Sequence, residues 1–410
     1  MLEGAPRAAR RSASPTYSGR VLADPGVSSL YLHIPYCERK CEYCDFVSVA
    51  GARGQHEYIA ALRAEVRGLA MVLGGQPLRT VFVGGGTPGL LDLTLMRELM
   101  AEVLGGFDIV PDAEITLEVN PSSSSAQRAR AWRTAGFNRV SVGVQSTHAD
   151  ILAFLGRVHD ADRALAAVRE VRAAGFDNVS ADLIYAVPGL DDARWTESLK
   201  RVVEAGPDHI SCYELTVESG TPLHRSVAEG RVRVVDPEIA LRQHRIAVET
   251  LERAGYAQYE VSNFARDRRQ CAHNLVYWRN GHYAAAGVGA HGHLPATLAP
   301  AFGLEAGPGA LAFRYEHGRD IRAYVADRAA EPLTLRSLEW VDAGMRSEES
   351  IMLGLRLREG VRLEGDGVIS EARELAAAGL LELNGARATV TSRGEDVLNQ
   401  VALRLATHGA

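Results

Sequence analysis

The sequence predicts an α/β protein in which six strands alternate with helices. The strand candidates are apolar, β-branched runs at 30–36, 80–85, 114–119, 139–145, 178–186 and 209–215. Between them lie amphipathic runs, of which the clearest carries Tyr58, Leu62, Val66 and Leu69 at helical spacing. Strands that alternate with helices pair in parallel through right-handed crossovers, so the pattern indicates an α/β sheet or a barrel.

A repeated Ala-Gly step supports this fold class. The step occurs at Ala135, Ala174, Ala205 and Ala254, each time between a helical pattern and a strand-like run. Glycine directly after a helix adopts the left-handed cap conformation at little cost. Each copy therefore predicts a helix, a cap and a strand, in that order.

In either architecture the ligand site is expected at the carboxyl ends of the strands. The polar residues that stand out in the sequence fall at or near those ends. They are Cys37, Gly84, Gly85, Gly86, Thr87, Glu118, Asn120, Gln145, Asp182, Tyr213 and Glu214. Their common placement is stronger evidence for a ligand site than any single motif.

Cys37, Cys41 and Cys44 form a CxxxCxxC loop directly after the first predicted strand. Three thiolates leave one iron of a cubane cluster without a protein ligand. That iron can be chelated by a small molecule with an amine and a carboxylate, and S-adenosylmethionine (SAM) uses this geometry for radical generation. The alternative is a zinc site, which needs four ligands and could recruit His33 or Asp45. The three-residue gap between the first two cysteines favours the cluster.

The GGGTP turn and two charged residues extend the candidate site. Glycines such as Gly85 and Gly86 let backbone N–H groups approach a ligand closely, which suits the amine and carboxylate of an amino acid. Asp182 lies where a buried strand should be apolar, so it pairs with a nearby base or binds a ligand hydroxyl. Arg157 is a candidate carboxylate clamp, with a surface arginine as the alternative.

Composition indicates a reduced, cytoplasmic compartment. The chain has 5 cysteines in 410 residues, and Cys212 and Cys271 lie far from the other three, so a secreted disulphide scaffold is disfavoured. Residues 1–26 lack the apolar stretch of a signal peptide, and no segment approaches ~18 apolar residues, so we expect a disordered tail and no membrane-spanning segment. The net charge is −6 and the 45 Lys and Arg residues are scattered, which gives no electrostatic footprint for nucleic acid.

The motifs YLHIPYCERKCEYCDF, FVGGGTP, LEVNP, SVGVQS, LGRVH and DLIYAVPG resemble, in this order, those of the radical SAM superfamily. Specifically, they resemble its oxygen-independent coproporphyrinogen III oxidase-like branch, from Leu30 to nearly the C-terminus. The resemblance implies a partial (β/α)6 barrel with a [4Fe-4S] cluster held by Cys37, Cys41 and Cys44. It also implies that SAM is surrounded by Tyr31, Tyr43, Gly85, Gly86, Thr87, Glu118, Gln145, Arg157 and Asp182.

Two functions compete within that branch. The true oxidase carries a fourth cysteine two residues after the third and a longer N-terminal segment, whereas Asp45 and Phe46 follow Cys44 here. The segment HNLVYW matches the HNxxYW motif of the haem chaperone (HemW) subfamily. The resemblance therefore favours the chaperone over the oxidase.

The HNxxYW motif predicts a haem site formed by His273, Asn274, Tyr277 and Trp278. His273 is a candidate axial iron ligand, Asn274 can orient a polar group, and Tyr277 and Trp278 offer flat apolar faces to a macrocycle. We expect this segment to form a wall beside the barrel mouth. The nearby histidines leave the iron ligand open; they are His282, His291 and His293.

After a Pro-, Ala- and Gly-rich connector the C-terminal part changes character. The patterns predict an amphipathic helix in MRSEESIMLGLRLREGV, a second in SEARELAAAG, and then a hairpin-like wing and a last helix. This part resembles the small helical, winged-helix-like domain that closes the family, and we expect it to cover the barrel mouth. Its proposed helices carry as many acids as bases, which disfavours a DNA-binding transcriptional regulator. The predicted divisions are a tail at 1–26, the barrel at 27–300, a connector at 301–335 and the C-terminal domain at 336–410.

The sequence thus predicts a cytoplasmic haem chaperone that binds haem and transfers it to a client protein. The cluster and SAM would then have a structural or regulatory role, and an electron donor for the cluster would be a further partner. The alternative is a radical SAM enzyme that decarboxylates the propionate side chains of a porphyrinogen, as the oxygen-independent coproporphyrinogen III oxidase of haem biosynthesis does.

Overall fold

The structure is a computed structural model that describes residues 26–407. The predicted tail therefore lies outside the described residues, apart from Gly26. The strands are β1 (Ser29–Ile34), β2 (Tyr36–Cys37), β3 (Val49–Ala50), β4 (Leu78–Gly85), β5 (Ile109–Val119), β6 (Arg139–Gln145), β7 (Val179–Tyr185), β8 (His209–Glu214), β9 (Ala257–Glu260), β10 (Asn263–Ala265), β11 (Ala284–Ala286), β12 (His291–Pro295), β13 (Ala312–Glu316), β14 (Ser337–Val341), β15 (Val361–Arg362), β16 (Leu381–Asn384) and β17 (Arg387–Val390).

The α-helices are α1 (Gln55–Leu73), α2 (Leu93–Gly106), α3 (Ala126–Thr134), α4 (Ala149–Phe154), α5 (Ala161–Ala173), α6 (Asp192–Ala205), α7 (Pro222–Ala228), α8 (Pro237–Arg253), α9 (Ala272–Trp278), α10 (Ile321–Ala330), α11 (Ala343–Gly354), α12 (Asp366–Ala377), α13 (Ser392–Glu395) and α14 (Leu398–Ala406). Short 3-10 helices lie at Pro88–Leu90, Pro121–Ser123 and Ala296–Phe302. Within residues 26–407, none of the helices has both the length and the apolar character needed to span a membrane.

The main sheet has nine strands in the order β11-β1-β4-β5-β6-β7-β8-β10-β9. Its centre consists of the six predicted strands, β1 and β4 to β8, each parallel to the next. β11 is parallel to β1 at one edge, and β10 and β9 are antiparallel additions at the other. In the described part of the chain β11 and β9 remain at the two edges, so the barrel is partial. The predicted fold class is confirmed.

The helices between the strands bury the apolar stripes that the sequence predicted. Tyr58, Leu62, Val66 and Leu69 of α1 are all buried in the main core. The predicted Ala-Gly steps follow the ends of α3, α5, α6 and α8, and Gly206 has the left-handed conformation with φ 75° and ψ 41°. Because the central strands are parallel, their carboxyl ends lie on one side of the sheet.

The segment 301–335, predicted as a connector, contains defined elements. β13 is the central strand of a three-stranded sheet with β12 and β14, and α10 follows it. Tyr324 of α10 donates a hydrogen bond to the buried carboxylate of Glu65 on α1, and Arg328 Nη1 lies 3.4 Å from the same group. His317 Nε2 lies 2.7 Å from Glu65 Oε1. A buried carboxylate needs such partners, and they fix this segment on the barrel.

The C-terminal part has the predicted order of helix, helix, hairpin and helix, as α11, α12, β16 with β17, and α14, around a core of its own. Our expectation that it covers the barrel mouth is wrong. Arg358 donates to Gln258 on β9, and Arg245 of α8 pairs with Asp396. Among the described residues, the last one in the sequence that lines the barrel cavity is Arg319, which precedes the C-terminal domain. Long-range polar contacts thus hold this domain at the β9 edge of the sheet.

Candidate functional site

A cavity of about 1040 Å³ extends from the cysteine loop into the partial barrel. Its wall includes the three cysteines of the loop, and every residue that the sequence predicts around SAM. These predicted wall residues are Cys37, Cys41, Cys44, Tyr31, Tyr43, Gly85, Gly86, Thr87, Glu118, Gln145, Arg157 and Asp182. His273, Asn274 and Tyr277 also line the cavity, whereas Trp278 does not.

Two side chains outside the cysteine loop donate hydrogen bonds to its sulphur atoms. Thr87 Oγ1 donates to Cys37 Sγ, and Arg157 Nη1 donates to Cys41 Sγ, each over 3.6 Å. Burial raises the pKa of the Cys37 thiol, and burial raises the pKa of the Cys44 thiol to about 11. Donors to sulphur favour the thiolate, which is the form that binds metal. Burial disfavours the negative charge of the thiolates, and a bound iron would offset this cost.

All three cysteines of the loop face the cavity. Within residues 26–407, no group of three or more His, Cys, Asp or Glu side chains is close enough to hold a single ion. In an iron–sulphur cluster each cysteine binds a different iron, so the sulphur atoms need not converge. A Cβ at Gly86 would lie 2.9 Å from Cys37 Sγ, so glycine keeps this wall open.

The GGGTP turn lies at the end of β4 and is joined by a hydrogen bond to Glu118 near the end of β5. Gly85 has a φ of 112°, and its N–H donates to Glu118 Oε2 over 3.1 Å. A Cβ at Gly85 would lie 2.5 Å from the imidazole of His33. Both the backbone conformation and the close approach require glycine here.

Two acidic side chains lie close together inside the cavity. Burial, with a smaller contribution from the Asp182 carboxylate, raises the pKa of Glu118 to about 7. Burial also raises the pKa of Asp182, although serine hydroxyls oppose the shift. Ser141 Oγ lies 3.0 Å from Asp182 Oδ1, and Ser211 Oγ lies 2.8 Å from the same atom. A cationic ligand beside this pair would favour its ionised form.

Arg157 and Gln145 lie at the junction of the cysteine loop with β5 and β6. Arg157 Nη2 donates to Asn120 Oδ1 over 2.6 Å and to the Gly143 carbonyl over 2.9 Å. Gln145 has a positive φ of 64°, and its buried Oε1 has no hydrogen-bond partner. A strained residue with an unsatisfied acceptor is typical of a ligand-binding position.

The two predicted aromatic residues contribute ring surface to the wall. Tyr31 on β1 stacks on Phe82 with ring centroids 6.2 Å apart, and its hydroxyl lies 3.1 Å from His33 Nδ1. Tyr43 lies in the cysteine loop, where burial raises its pKa. Rings at these positions can pack against a planar group of a ligand.

The HNxxYW residues lie on α9, which enters the barrel instead of standing at its mouth. The N–H groups of Ala272 and His273 each donate to the Glu114 carboxylate over 3.0 Å. His273 Nδ1 lies 2.7 Å from Thr80 Oγ1. Thr80 and Glu114 pair in register on β4 and β5, well before the end of β4 at Gly85. Our expectation of a wall beside the mouth is therefore wrong, because α9 bonds to Thr80 near the start of β4 and to Glu114 in the middle of β5.

Two side chains of α9, His273 and Tyr277, form hydrogen bonds within the protein. His273 Nε2 lies 2.8 Å from the Tyr277 hydroxyl, so both ring nitrogens have partners. Burial, with the nearby charge of Arg139, lowers the pKa of His273 to about 3. Trp278 belongs to a small separate core with Leu357, and Arg356 lies 5.6 Å from the centre of its ring. That the motif binds haem stays a prediction.

Several residues of the cavity wall were not predicted from the sequence. They are Arg139, Ser141, His209, Ser211, Asn263 and Cys271. A signal existed for part of this set, since alternate residues of a strand face the same side. Gln145 was predicted at the site, and Gly143, Ser141 and Arg139 alternate with it along β6, so they could have been predicted on the same face. Asn263 and Cys271 lie outside the six predicted strands, and no pattern in the sequence indicates them.

Known proteins resemble this chain in sequence and in fold. The model of the Radical SAM superfamily matches residues 31–202. The chain is 36% identical to "Heme chaperone HemW" of Mycobacterium tuberculosis, over 92% of this chain and 94% of that protein. It is 30% identical to "Heme chaperone HemW" of Bacillus subtilis, over 92% of this chain and 98% of that protein. Among solved structures, coproporphyrinogen III oxidase (HemN) from Escherichia coli, a radical SAM enzyme, superposes with a TM-score of 0.77 at 21% identity, over 93% of this chain and 91% of that chain.

Proposed function

This chain belongs to the HemW family of the radical SAM superfamily, and we propose that it binds haem and transfers it to an acceptor protein. The proposal is carried by its likeness, along nearly the whole chain, to proteins named haem chaperones. The likeness to coproporphyrinogen III oxidase is one of fold, at 21% identity. In addition, Asp45 and Phe46 follow Cys44, where the oxidase motif continues to a fourth cysteine. We therefore prefer the chaperone to the oxidase.

Within this proposal Cys37, Cys41 and Cys44 hold a [4Fe-4S] cluster. Such a cluster, when bound beside SAM and reduced by an electron donor, supplies the electron that cleaves the SAM sulphonium. Arg157 and Thr87 donate to the sulphur atoms and thereby hold the loop in place. Gly86 keeps the space beside Cys37 free.

SAM is proposed to bind along the carboxyl ends of β4 to β7. Its sulphonium and amine are cationic, and burial raises the pKa of both Glu118 and Asp182 despite the nearby charge of Arg139, so a cation beside them would favour their ionised forms. The unsatisfied Gln145 Oε1 offers an acceptor, and the Gly85–Gly86 turn allows close backbone approach. The proposed residues are those predicted from the sequence, Tyr31, Tyr43, Gly85, Gly86, Thr87, Glu118, Gln145, Arg157 and Asp182.

A substitution at Asp182 tests the SAM site. Removal of a buried carboxylate that contacts the ligand should weaken SAM binding by about 1–3 kcal/mol. Asp182→Ala is therefore compared with the wild type by calorimetry under anaerobic conditions. Leu338→Ala, at an exposed position on β14 away from the cavity, is the control. Equal SAM affinity of a folded Asp182→Ala protein and the wild type would contradict the assignment.

For haem, the proposal places the macrocycle in the cavity that His273, Asn274 and Tyr277 of the HNxxYW motif help to line, and it leaves the iron ligand open among the histidines in and near the motif. To bind iron, His273 would have to give up a hydrogen bond to Thr80 or Tyr277. Trp278 supports α9 from the other side. A cytoplasmic location and an electron donor for the cluster complete the proposal.

One preparation tests chaperone against oxidase. The protein is reconstituted anaerobically, titrated with haem and then assayed with coproporphyrinogen III, SAM and a reductant. We expect about one haem per chain and no protoporphyrinogen. Sustained conversion of coproporphyrinogen would favour the oxidase. Absence of saturable haem binding would contradict the chaperone directly.

A further inference from the structure

A histidine that binds haem iron must offer a ring nitrogen that is free of protein partners and accessible to a large planar ligand. Three histidines of the cavity wall fail this requirement. His273 is 1% exposed, and both of its nitrogens lie within hydrogen-bond distance of hydroxyl groups. His33 lies between Tyr31 and the Val47 carbonyl, and His209 lies between the hydroxyls of Ser180 and Tyr259; all four contacts use ring nitrogens.

Two other histidines near the motif lie away from the cavity. His282 and His293 are 1% and 3% exposed, and their ring centroids are 4.7 Å apart. Neither belongs to the cavity wall. His293 Nδ1 lies 3.2 Å from the Gly281 carbonyl. Iron could reach these rings only after the β12 region had opened.

His291 differs from all of these. It is the first residue of β12, it lines the cavity, and its side chain is 62% exposed. Its cross-strand partner is Glu316 on β13, whose Oε1 lies 3.7 Å from His291 Nε2. A carboxylate beside one nitrogen orients the ring and makes the other nitrogen a better metal ligand.

The surroundings of His291 suit the rest of a haem molecule. Val47 of the cysteine loop packs against Gly289, where a Cβ would lie 2.4 Å from Val47 Cγ2. The neighbouring Phe46 also lines the cavity and is 63% exposed, so it offers an apolar face. Arg319 donates to Asp45 in the same loop, and Arg39 lines the cavity nearby. Arg319 pairs with Asp45 and Arg39 lies 3.9 Å from Glu42, so each would exchange an exposed carboxylate partner for a propionate, which guanidinium groups bind well.

We propose that His291 is the axial ligand of haem, which binds at the cavity rim between β12 and the cysteine loop. The inference deepens the proposed haem chaperone function and rests on it. A ligand at the rim also suits delivery, because an acceptor can take haem from an exposed histidine without opening the barrel. By this assignment α9 supports the barrel, and Glu316 is a positioning residue for His291.

Spectroscopy of single variants tests the assignment. Full-length protein with a reconstituted cluster is titrated with ferric haem, and the Soret band and the spin state are recorded. His291→Ala should shift the Soret band and weaken haem binding at least about tenfold, and Glu316→Gln should weaken it by a comparable factor. His273→Ala should keep the wild-type Soret position. His56→Ala, an exposed histidine of α1 outside the cavity wall, is the matched control.

Addition of imidazole to His291→Gly should restore the wild-type spectrum, which a merely structural role would not produce. An unchanged spectrum in His291→Ala, or a shift confined to His273→Ala, would overturn the assignment and leave haem binding in place. If the wild type itself bound no haem, the proposed function would fail, which is a separate result.

Discussion

The cysteine side of the cavity and helix α9 both carry sequence motifs, but they differ in how their polar groups are satisfied. On the cysteine side Gln145 Oε1 lacks a partner, and Glu118 has a pKa raised to about 7. On α9, by contrast, His273 and Tyr277 bond to each other, and Glu114 accepts from the start of the helix. Polar groups already paired within the protein stabilise the fold, whereas unpaired ones are available to a ligand. The comparison favours ligand binding in the first region, and on α9 it holds for His273 and Tyr277 but not for Trp278, whose buried Nε1 has no hydrogen-bond partner.

The largest expected effect is on the cluster. Cys41→Ala should abolish the broad visible absorption of the reconstituted protein and reduce its iron and sulphide content, because two cysteines hold a cubane poorly. Cys212→Ala, in the buried β8, is the control and should retain full iron content. Four irons and four sulphides retained after substitution of Cys37, Cys41 and Cys44 together would remove the cluster site from this loop.

The next largest effect on the cluster is expected from the addition of one methyl group at Gly86. In Gly86→Ala the new Cβ would lie 2.9 Å from both Cys37 Sγ and the Tyr36 carbonyl, so the loop must shift and cluster assembly should fall severely. Gly105→Ala adds the same methyl group on α2, where nothing lies within 4 Å. That control should stabilise slightly, by up to about 1 kcal/mol. Equal cluster content in the two variants would show that the wall tolerates the change.

On α9 the expected effect is on stability. His273→Ala should lower the free energy of unfolding by about 2–4 kcal/mol, since it opens a buried cavity and removes the hydrogen-bond partner of the Tyr277 hydroxyl, whereas the Thr80 hydroxyl keeps its bond to Ser29. His291→Ala, at the exposed rim, should change it by less than about 0.5 kcal/mol. Chemical denaturation of both apo-proteins gives the values. Equal stability of the two variants would remove the distinction between the regions.

The smallest effect is a pH dependence of SAM binding. The pKa of Glu118 is raised to about 7, so its carboxyl group is mostly protonated at pH 6 and mostly ionised at pH 8. A cationic ligand binds the ionised form better, so SAM affinity should rise with pH across this interval, by up to about tenfold. Glu118→Gln removes the titration of Glu118, so the pH dependence of SAM affinity should become weaker. The dependence that remains then includes the titration of SAM itself. Affinity that falls with rising pH in the wild type alone would contradict a cation beside Glu118.

The sequence allowed much of the fold to be predicted, because its signals are local. The predicted strand at 139–145 is observed at Arg139–Gln145, and the apolar stripe of α1 is buried as expected. The cysteine loop and the GGGTP turn were placed correctly at strand ends, since parallel strands bring those ends together. Local periodicity and chain order are sufficient for these conclusions.

The position of α9 could not be predicted, since it depends on contacts between distant parts of the chain. His273 meets Thr80 across 193 residues of sequence, and no local pattern encodes that partner. The same holds for the C-terminal domain, whose Arg358 finds Gln258 across 100 residues. The HNxxYW motif thus identified residues of the cavity wall, but only the folded chain shows which side chains they contact.

Hydrogen–deuterium exchange of the wild-type protein tests the comparison most directly. Exchange is measured without ligand, with SAM and with haem. We predict that SAM protects the cysteine loop at 37–48 and the turn at 85–87, that haem protects 289–291 and 316–319, and that α9 exchanges slowly and equally in all three states. Protection that haem confers on 272–278, with no change at 289–291, would contradict the account and return the ligand site to the HNxxYW helix.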